Sequence, residues 1–232
     1  MSGKRRDVTP APVSRGPTPA QRASPRLYLV TPLLRDTAGF ADGLDAALAA
    51  GDVAAVLLRL EQSDERTLIT RAKAIAAVVQ RRDIALLLDG HPQIAARAGA
   101  DGAHLTGTDA LAAALDILRP DRIAGAGGLH SRHDAMLAGE TGADYVMFGE
   151  PDPAGGRLSA DALQERLAWW AEVFAPPCVG YAAHFDEVTA LARAGADFVA
   201  LGDWVWTHDR GPAAAVAAAA DCLAPPASGA ER

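Results

Sequence analysis

Several charged or ionisable side chains in this sequence each follow shortly after a run of apolar residues. They are Arg59, Asp89, Asp109, His130 and Asp203. A guanidinium group suits phosphate oxygens, and carboxylate oxygens are hard ligands of the kind that Mg²⁺ takes. An imidazole suits proton transfer because its ordinary pKa lies close to neutral pH. These side chains can work together only if the fold brings the ends of the apolar runs to one place.

Short apolar runs alternate with alanine-rich helical segments along most of the chain. Eight runs are apolar without alternation, which is typical of parallel strands that are covered on both faces. They begin at Leu27, Val53, Ile84, Gly102, Arg122, Tyr145, Cys178 and Phe198. Eight strand–helix units favour a closed (β/α)8 TIM barrel, with a doubly wound open sheet as the second choice. In such a barrel the carboxyl ends of all strands meet at one rim, where active sites lie.

The triplet Gly-Ala-Asp opens three of these runs, at Gly99, Gly142 and Gly195. Glycine supplies the left-handed residue that ends a helix, and alanine permits close packing. The aspartate then satisfies backbone donors in the turn before the next strand. We therefore expect Asp101, Asp144 and Asp197 to lie at the amino-terminal face of the barrel and to stabilise it without a catalytic role.

Composition divides the chain into a barrel over 27–223 and two loose tails, 1–26 and 224–232. The first tail is rich in Pro, Ser, Arg and Lys and has no apolar periodicity, which indicates disorder. The net charge of −7 argues against a nucleic-acid partner. No apolar run reaches the roughly 20 residues that cross a membrane, and the amino terminus lacks a signal-peptide core. We expect a cytoplasmic protein, with homo-oligomerisation left open.

The order of the motifs resembles the thiamine phosphate synthase/TenI superfamily from about Leu27 to Trp206. "LYLVT" is similar to the opening strand of that family, and "VLLRLE" stands where the synthase has Val-Gln-Leu-Arg-x-Lys. "LLLDGHPQIAARAGADGAHLTGTD" follows the segment Asn-Asp-Arg…Gly-Ala-Asp-Gly-Val-His-Leu-Gly-Gln-x-Asp almost without gaps. "GLHSRHDA" and "GADYVMFGE" match the next two strands and loops.

This resemblance implies a reaction that joins a pyrimidine pyrophosphate to a thiazole phosphate and releases pyrophosphate with the help of Mg²⁺. Arg59 stands at the position of the pyrophosphate-binding arginine, and Asp109 stands at one metal carboxylate. The other metal carboxylate falls on Gly90, so the neighbouring Asp89 is the candidate replacement, as a metal ligand or a substrate-binding group.

Other positions depart from the family pattern. The glutamine of the second strand is Leu57, and its lysine is Glu61. The serine after the fifth strand aligns with Gly127 or Gly128. The Thr-x-Thr-Lys loop after the sixth strand has no clear counterpart, and Arg157 is the candidate substitute for its lysine.

The site for the thiazole phosphate is altered too. The family's Gly-Gly becomes Ala182–Ala183, and its Val-Ser pair becomes Gly202–Asp203. Backbone amides in the alanine turn can still form an anion nest, but an ionised Asp203 at ~5 Å would repel a unit negative charge by roughly 3 kcal/mol at an effective dielectric near 20. Two competing interpretations are that Asp203 caps the short helix at Trp204 and that Arg59 pairs with Glu61.

Three functions stay open on these residues. The first is a thiamine phosphate synthase that uses Arg59, Asp109 and a substitute ligand such as Asp89. The second is a TenI-like thiazole tautomerase, because "LHSRHDAM" resembles the family's Val-His-Ser-Leu-Glu-Glu-Ala and places His130 at the position of the general base. The third is a barrel that binds thiamine precursors, or a related ligand, without catalysis.

Overall fold

The computed structural model of the protein describes residues 24–224, and eight parallel strands close there into a barrel in sequential order. The strands are β1 (Arg26–Val30), β2 (Val53–Leu58), β3 (Ala85–Asp89), β4 (Gly102–Thr106), β5 (Ile123–Gly127), β6 (Tyr145–Phe148), β7 (Cys178–Ala182) and β8 (Phe198–Leu201). The ring closes because β1 pairs with β8, for example through Tyr28 and Ala200. The predicted (β/α)8 barrel is confirmed, and the open sheet is wrong.

Eight α-helices surround the strands. They are α1 (Ala41–Leu48), α2 (Glu65–Val79), α3 (Pro92–Ala98), α4 (Thr108–Leu118), α5 (Arg132–Thr141), α6 (Ala160–Val173), α7 (Glu187–Arg193) and α8 (Pro212–Leu223). None of them has the length and apolar character that would let it cross a membrane. The predicted tails fall outside the described residues except for 24–26 and 224, and Arg26 already belongs to β1.

Strands such as β1 separate two apolar layers, which explains why their sequences are apolar without alternation. In β1, Leu27 and Leu29 pack outward against the helices, whereas Tyr28 and Val30 point into the barrel. The interior is filled by a mixture of aromatic, branched and small side chains. They are Tyr28, Val30, Ala55, Leu57, Leu87, Tyr145, Met147, Val179, Tyr181 and Ala200.

The three Gly-Ala-Asp turns have one shared geometry at the amino-terminal face. Each glycine has a positive φ, between 76° and 108°. Each aspartate donates its backbone N–H to the carbonyl oxygen of a residue in the preceding strand, at 2.9 Å, and its carboxylate accepts the N–H of that same residue at 2.7–2.8 Å. The pairs are Asp101 with Leu86, Asp144 with Ala124, and Asp197 with Cys178. The predicted position of these aspartates and the backbone donors that they satisfy are confirmed.

Candidate active site

Arg59 follows directly after β2, and its guanidinium lies between two carboxylates at the carboxyl-terminal rim. Its Nε is 3.9 Å from Oδ2 of Asp89, at the end of β3, and its Nη1 is 3.5 Å from Oδ1 of Asp203, just beyond β8. The buried Thr31 fixes the backbone, because its hydroxyl oxygen accepts the N–H of Arg59 at 3.0 Å. Closure of the barrel therefore assembles a cation with two anions from distant parts of the chain.

Both competing interpretations of this region are wrong. Glu61 pairs with Arg35 at 3.6 Å, so Arg59 takes its described partners from other strands. Asp203 is the first residue of a short 3-10 helix, Asp203–Val205, whose N-cap is Gly202, and no side chain caps it. The carboxylate of Asp203 is 65% exposed and faces Arg59. Burial and, to a smaller extent, the charge of Asp203 raise the pKa of the Tyr181 phenol.

A second guanidinium at this rim is held by a carboxylate of the chain itself. Both terminal nitrogens of Arg157 lie 3.1 Å from the carboxylate oxygens of Glu187, in the first turn of α7. The remaining donors reach backbone oxygens of Gly149 and Tyr181 at 2.9 and 3.1 Å. Glu187 also accepts the N–H of Ala183 at 2.7 Å. The Ala183 N–H, which was predicted to contribute to a phosphate nest, therefore already donates to a carboxylate of the chain.

The backbone N–H of Gly202, beside this turn, also has a partner within the chain. The carbonyl oxygen of Ala182 accepts the backbone N–H of Gly202 at 3.0 Å and the indole N–H of Trp204 at 3.1 Å. The ends of β7 and β8 are therefore joined by hydrogen bonds, and Trp204 covers that junction. Burial tends to raise the pKa of Glu187, but the bonds from Arg157 and Ala183 outweigh it and hold that pKa below its usual value.

A cavity of about 320 Å³ opens beside these groups, above the carboxyl ends of β5 and β6. His130 and Gly128 form part of its wall, and the loop that follows β6 forms the other side. Its apolar lining includes Leu129, Met147, Phe148 and Leu158. His130 is exposed, and Arg166 holds its backbone by donating to the carbonyl oxygens of Leu129 and His130.

Glu150 lines this cavity. It is also the first member of a chain of hydrogen-bonded side chains that extends into the barrel. Its Oε1 is 2.9 Å from Nε2 of His104, whose Nδ1 is 2.8 Å from the hydroxyl of Tyr145. The Tyr145 hydroxyl is in turn 2.9 Å from that of Tyr28. Burial lowers the pKa of His104, but the negative charge and hydrogen bond of Glu150 outweigh it, and the net direction is upward. His104 belongs to β4, and its side chain is 1% exposed.

Glu150 also accounts for the glycines that stand in place of the family's serine. The N–H of Gly128, a residue with φ of 62°, donates to Oε2 of Glu150 at 3.1 Å. A Cβ added at Gly127 would collide with the carboxylate of Glu150 and with the ring of His104. The space that a serine side chain would need is therefore taken by this pair.

Comparison with known proteins is consistent with this architecture. Residues 27–205 match the model of a family described as thiamine monophosphate synthase. The chain belongs to this family. It is 44% identical to a thiamine-phosphate synthase of Rhodospirillum centenum over 83% of this chain and 94% of that protein, and 38% identical to one of Hyphomonas neptunium over 87% and 95%.

A solved structure of similar shape is the thiamine phosphate pyrophosphorylase from Pyrococcus furiosus. Its TM-score is 0.72 at 21% identity, with 85% of this chain and 95% of that chain covered. At this identity the likeness supports the fold alone, and it agrees with the closed barrel described above.

This chain has two candidate metal ligands, Asp109 and Asp89. Asp109 lies exposed in the first turn of α4 and has no ion pair within residues 24–224. Asp89 faces Arg59, and Gly90 supplies no side chain. No group of three or more His, Cys, Asp or Glu side chains in that part of the chain is arranged to hold a metal ion. Asp89 and Asp109 stand at the ends of the neighbouring strands β3 and β4, and carboxylate oxygens are ligands that Mg²⁺ takes while it keeps several waters.

Apart from Asp109, the predicted site residues fall into three groups at one rim. Arg59, Asp89 and Asp203 form an ion-paired cluster, His130 and Gly128 line the cavity, and the Ala182–Ala183 turn meets Gly202. Sequence reasoning missed that Glu187 binds Arg157 and that Glu150 binds His104. The signals for both were weak: an acidic residue just after a strand, and another four residues after the alanine turn.

Proposed function

We propose that this protein is a thiamine phosphate synthase that transfers a pyrimidine-methyl group from pyrophosphate to the nitrogen of a thiazole phosphate. The carbon–oxygen bond to pyrophosphate breaks, a carbon–nitrogen bond forms, and pyrophosphate leaves. The observation that carries the proposal is Arg59, a partly exposed guanidinium held by the barrel at the end of β2. The thiamine-phosphate synthases that share most of this chain's length support it.

Arg59 is the group that binds the leaving pyrophosphate. A guanidinium offers two parallel N–H donors to phosphate oxygens, and charge-assisted bonds of this kind are stronger than neutral ones. Asp89 and Asp203 hold the side chain over the barrel until pyrophosphate takes their place. Because the contacts to these aspartates are 3.5 and 3.9 Å long and partly exposed, they are weak enough for a phosphate to displace.

Asp109 and Asp89 are the residues that would hold Mg²⁺ as it enters with the pyrophosphate. When bound, the ion would neutralise charge that develops on the leaving group. Asp89 would be available to hold the ion if pyrophosphate replaced it at Arg59. Gly90, at φ of 70° and with no atom near its missing side chain, leaves the approach open.

The thiazole phosphate is placed at the turn of Ala182 and Ala183 and at Gly202. We expect this binding to be weak, because Glu187 already occupies the Ala183 amide and Asp203 adds a negative charge beside Gly202. These substrates are charged small molecules, and we place the reaction in the cytoplasm.

The synthase assay supplies the test. Purified protein is mixed with both substrates and Mg²⁺, and thiamine phosphate is measured in the wild type, in Arg59→Ala and in Arg35→Ala as an exposed arginine control. We expect product from the wild type, a loss of about 10²–10³-fold in Arg59→Ala, as for removal of a group that stabilises transition-state charge, and little change in Arg35→Ala. No product at high enzyme concentration, or equal activity in the two variants, would reject the proposal.

A second function, isomerisation of a thiazole phosphate, is favoured by the position of His130 on the cavity wall. There an exposed imidazole can take a proton from a bound ring. His130→Ala should abolish isomerisation and leave the synthase reaction largely intact. Full isomerase activity in that variant would remove this alternative.

A further inference from the structure

We propose that Glu150 is the residue that recognises the amino group of a 4-aminopyrimidine ring, and that the ring lies in the cavity above β5 and β6. The inference takes its ligand from the proposed function and assigns a specificity-determining residue at the same site. It rests on the position of Glu150, on its unused hydrogen-bonding capacity and on the residue found where the family has a glutamine.

Glu150 is held in one orientation before any ligand arrives. The ring of His104, 1% exposed, contacts one carboxylate oxygen at 2.9 Å, and the N–H of Gly128 donates to the other at 3.1 Å. The absent side chain at Gly127 leaves the room that this arrangement needs. A carboxylate fixed in this way loses little conformational freedom when it binds, and such preorganisation favours selective recognition.

The carboxylate of Glu150 keeps acceptor capacity that faces the cavity. An ionised carboxylate has about four lone-pair directions, and the described contacts use one on each oxygen. Its side chain is 21% exposed and lines the cavity. Leu129, Met147 and Leu158 also line it. A flat ring can therefore place its faces against apolar side chains and its amino edge against Glu150.

Apart from the exposed Asp109, the other acidic groups described at this rim have partners of their own. Asp89 and Asp203 face Arg59, and Glu187 binds Arg157. Asp152, the other acidic residue of the cavity wall, organises its own loop by accepting the N–H groups of Ala154 and Gly156 on one oxygen. Glu150 thus differs from the paired rim carboxylates in having no guanidinium partner among residues 24–224.

Leu57 cannot supply an acceptor for the ring amine from β2. It stands where the family resemblance places a glutamine, and it is 3% exposed in the apolar interior of the barrel. A leucine offers no hydrogen bond to a ring nitrogen or amino group. Buried donors left without a partner weaken binding, so the ring amine must find its acceptor on another strand. Glu150, after β6, is placed to provide it.

The test compares two probes that differ only in the amino group: 4-amino-5-hydroxymethyl-2-methylpyrimidine pyrophosphate and its analogue without the 4-amino group. Dissociation constants are measured by calorimetry, without the second substrate, for the wild type, Glu150→Ala, Glu150→Gln and the control Asp152→Asn, which keeps a loop acceptor in the same cavity. We expect the wild type to prefer the amino probe about 10- to 100-fold, the range for a hydrogen bond to a charged group.

In Glu150→Ala we expect the ratio of the two constants to fall close to one, because affinity for the amino probe alone is lost. Glu150→Gln keeps the size of the side chain and should reduce the ratio several-fold, while Asp152→Asn should leave it unchanged. A merely structural Glu150 would weaken both probes equally. A wild type without preference, or a ratio that survives in both Glu150 variants, would overturn the inference.

The outcome is separable from that of the synthase assay. A protein that selects the amino probe through Glu150 but makes no thiamine phosphate keeps this inference and loses the proposed function. A protein that makes thiamine phosphate with an unchanged ratio in the Glu150 variants keeps the function and loses this inference.

Discussion

Strand β8 is four residues long and has an aspartate close to each end. Asp197, before the strand, uses its backbone and its carboxylate to hold Cys178 in the neighbouring strand, with bonds of 2.9 and 2.8 Å. Asp203, after the strand, faces Arg59 at 3.5 Å and is 65% exposed. The same residue type thus binds a backbone N–H at one end of the barrel, whereas at the other end it makes an exposed ion pair that a ligand can replace.

The difference between the two aspartates comes from the group that each carboxylate contacts and from its access to water. At the amino-terminal face, Asp197 satisfies a backbone N–H of a fully buried residue, for which no water is at hand. At the carboxyl-terminal face, water or a ligand can take over from Asp203 at little cost, because exposed ion pairs contribute about 0–1 kcal/mol. The aspartate before β8 therefore stabilises the fold, whereas the aspartate after β8 can exchange its partner.

The largest expected effect is from Asp197→Ala. It removes the carboxylate that accepts the N–H of Cys178 inside the protein, so the free energy of unfolding should fall by about 2 kcal/mol. Asp197→Asn, which keeps an acceptor oxygen, should lose less. Urea denaturation measures both, with synthase activity at 25 °C expected to stay near that of the wild type. An unchanged midpoint in Asp197→Ala would contradict the structural role.

A smaller loss is expected at the other end of the barrel, from Gly127→Ala. The new methyl group meets Glu150 and His104, and overpacking of this kind costs about 1–3 kcal/mol; we expect about 1.5 kcal/mol in the free energy of unfolding. Gly39→Ala is the control, because a Cβ there meets nothing within 4 Å. Equal stability of the two variants would show that the His104–Glu150 pair can move aside.

Glu187→Gln should cost about 1 kcal/mol at pH 7, because it weakens the bonds to Arg157 and Ala183. Since the folded protein holds the pKa of Glu187 below the usual 4.5, the carboxylate stabilises the fold above that value, and this contribution is lost as the pH falls through the lowered pKa. The difference in unfolding free energy between wild type and variant should therefore shrink below about pH 4.5. A difference that is constant from pH 7 to pH 3 would show that another group is responsible.

The smallest effect on stability is expected from Asp203→Ala, within about 0.5 kcal/mol. Its effect on binding should be opposite in sign, because removal of one negative charge frees Arg59 and should tighten pyrophosphate binding about 3-fold. Calorimetric titration with pyrophosphate measures this, with Asp209→Ala as the exposed control on the same segment. Weaker pyrophosphate binding in Asp203→Ala would mean that Asp203 supports the site.

The fold was predictable from the sequence because its signals are local. Strands such as β4 and β6 are short apolar runs. Each Gly-Ala-Asp turn could be predicted from its three adjacent residues alone. The side-chain partners at the carboxyl-terminal rim were harder to predict from the sequence. The competing interpretation of Arg59 paired it with Glu61, but it faces Asp89 and Asp203. Arg157 was the candidate substitute for the family's loop lysine, and its partner Glu187 was not predicted.

The sequence by itself determined the number and order of the strand–helix units, the family and the aspartates that hold the amino-terminal face. These depend on residues that are neighbours in the chain or lie in adjacent strands with a repeated spacing. Only the tertiary structure decided which charges meet at the opposite rim. Closure of the barrel brings β8 beside β1, and with it Asp203 within reach of Arg59, and the crowding of His104 and Glu150 above Gly127 depends on three strands at once. Contacts of this kind depend on distances across the barrel, and these distances cannot be read from the spacing of residues along the chain.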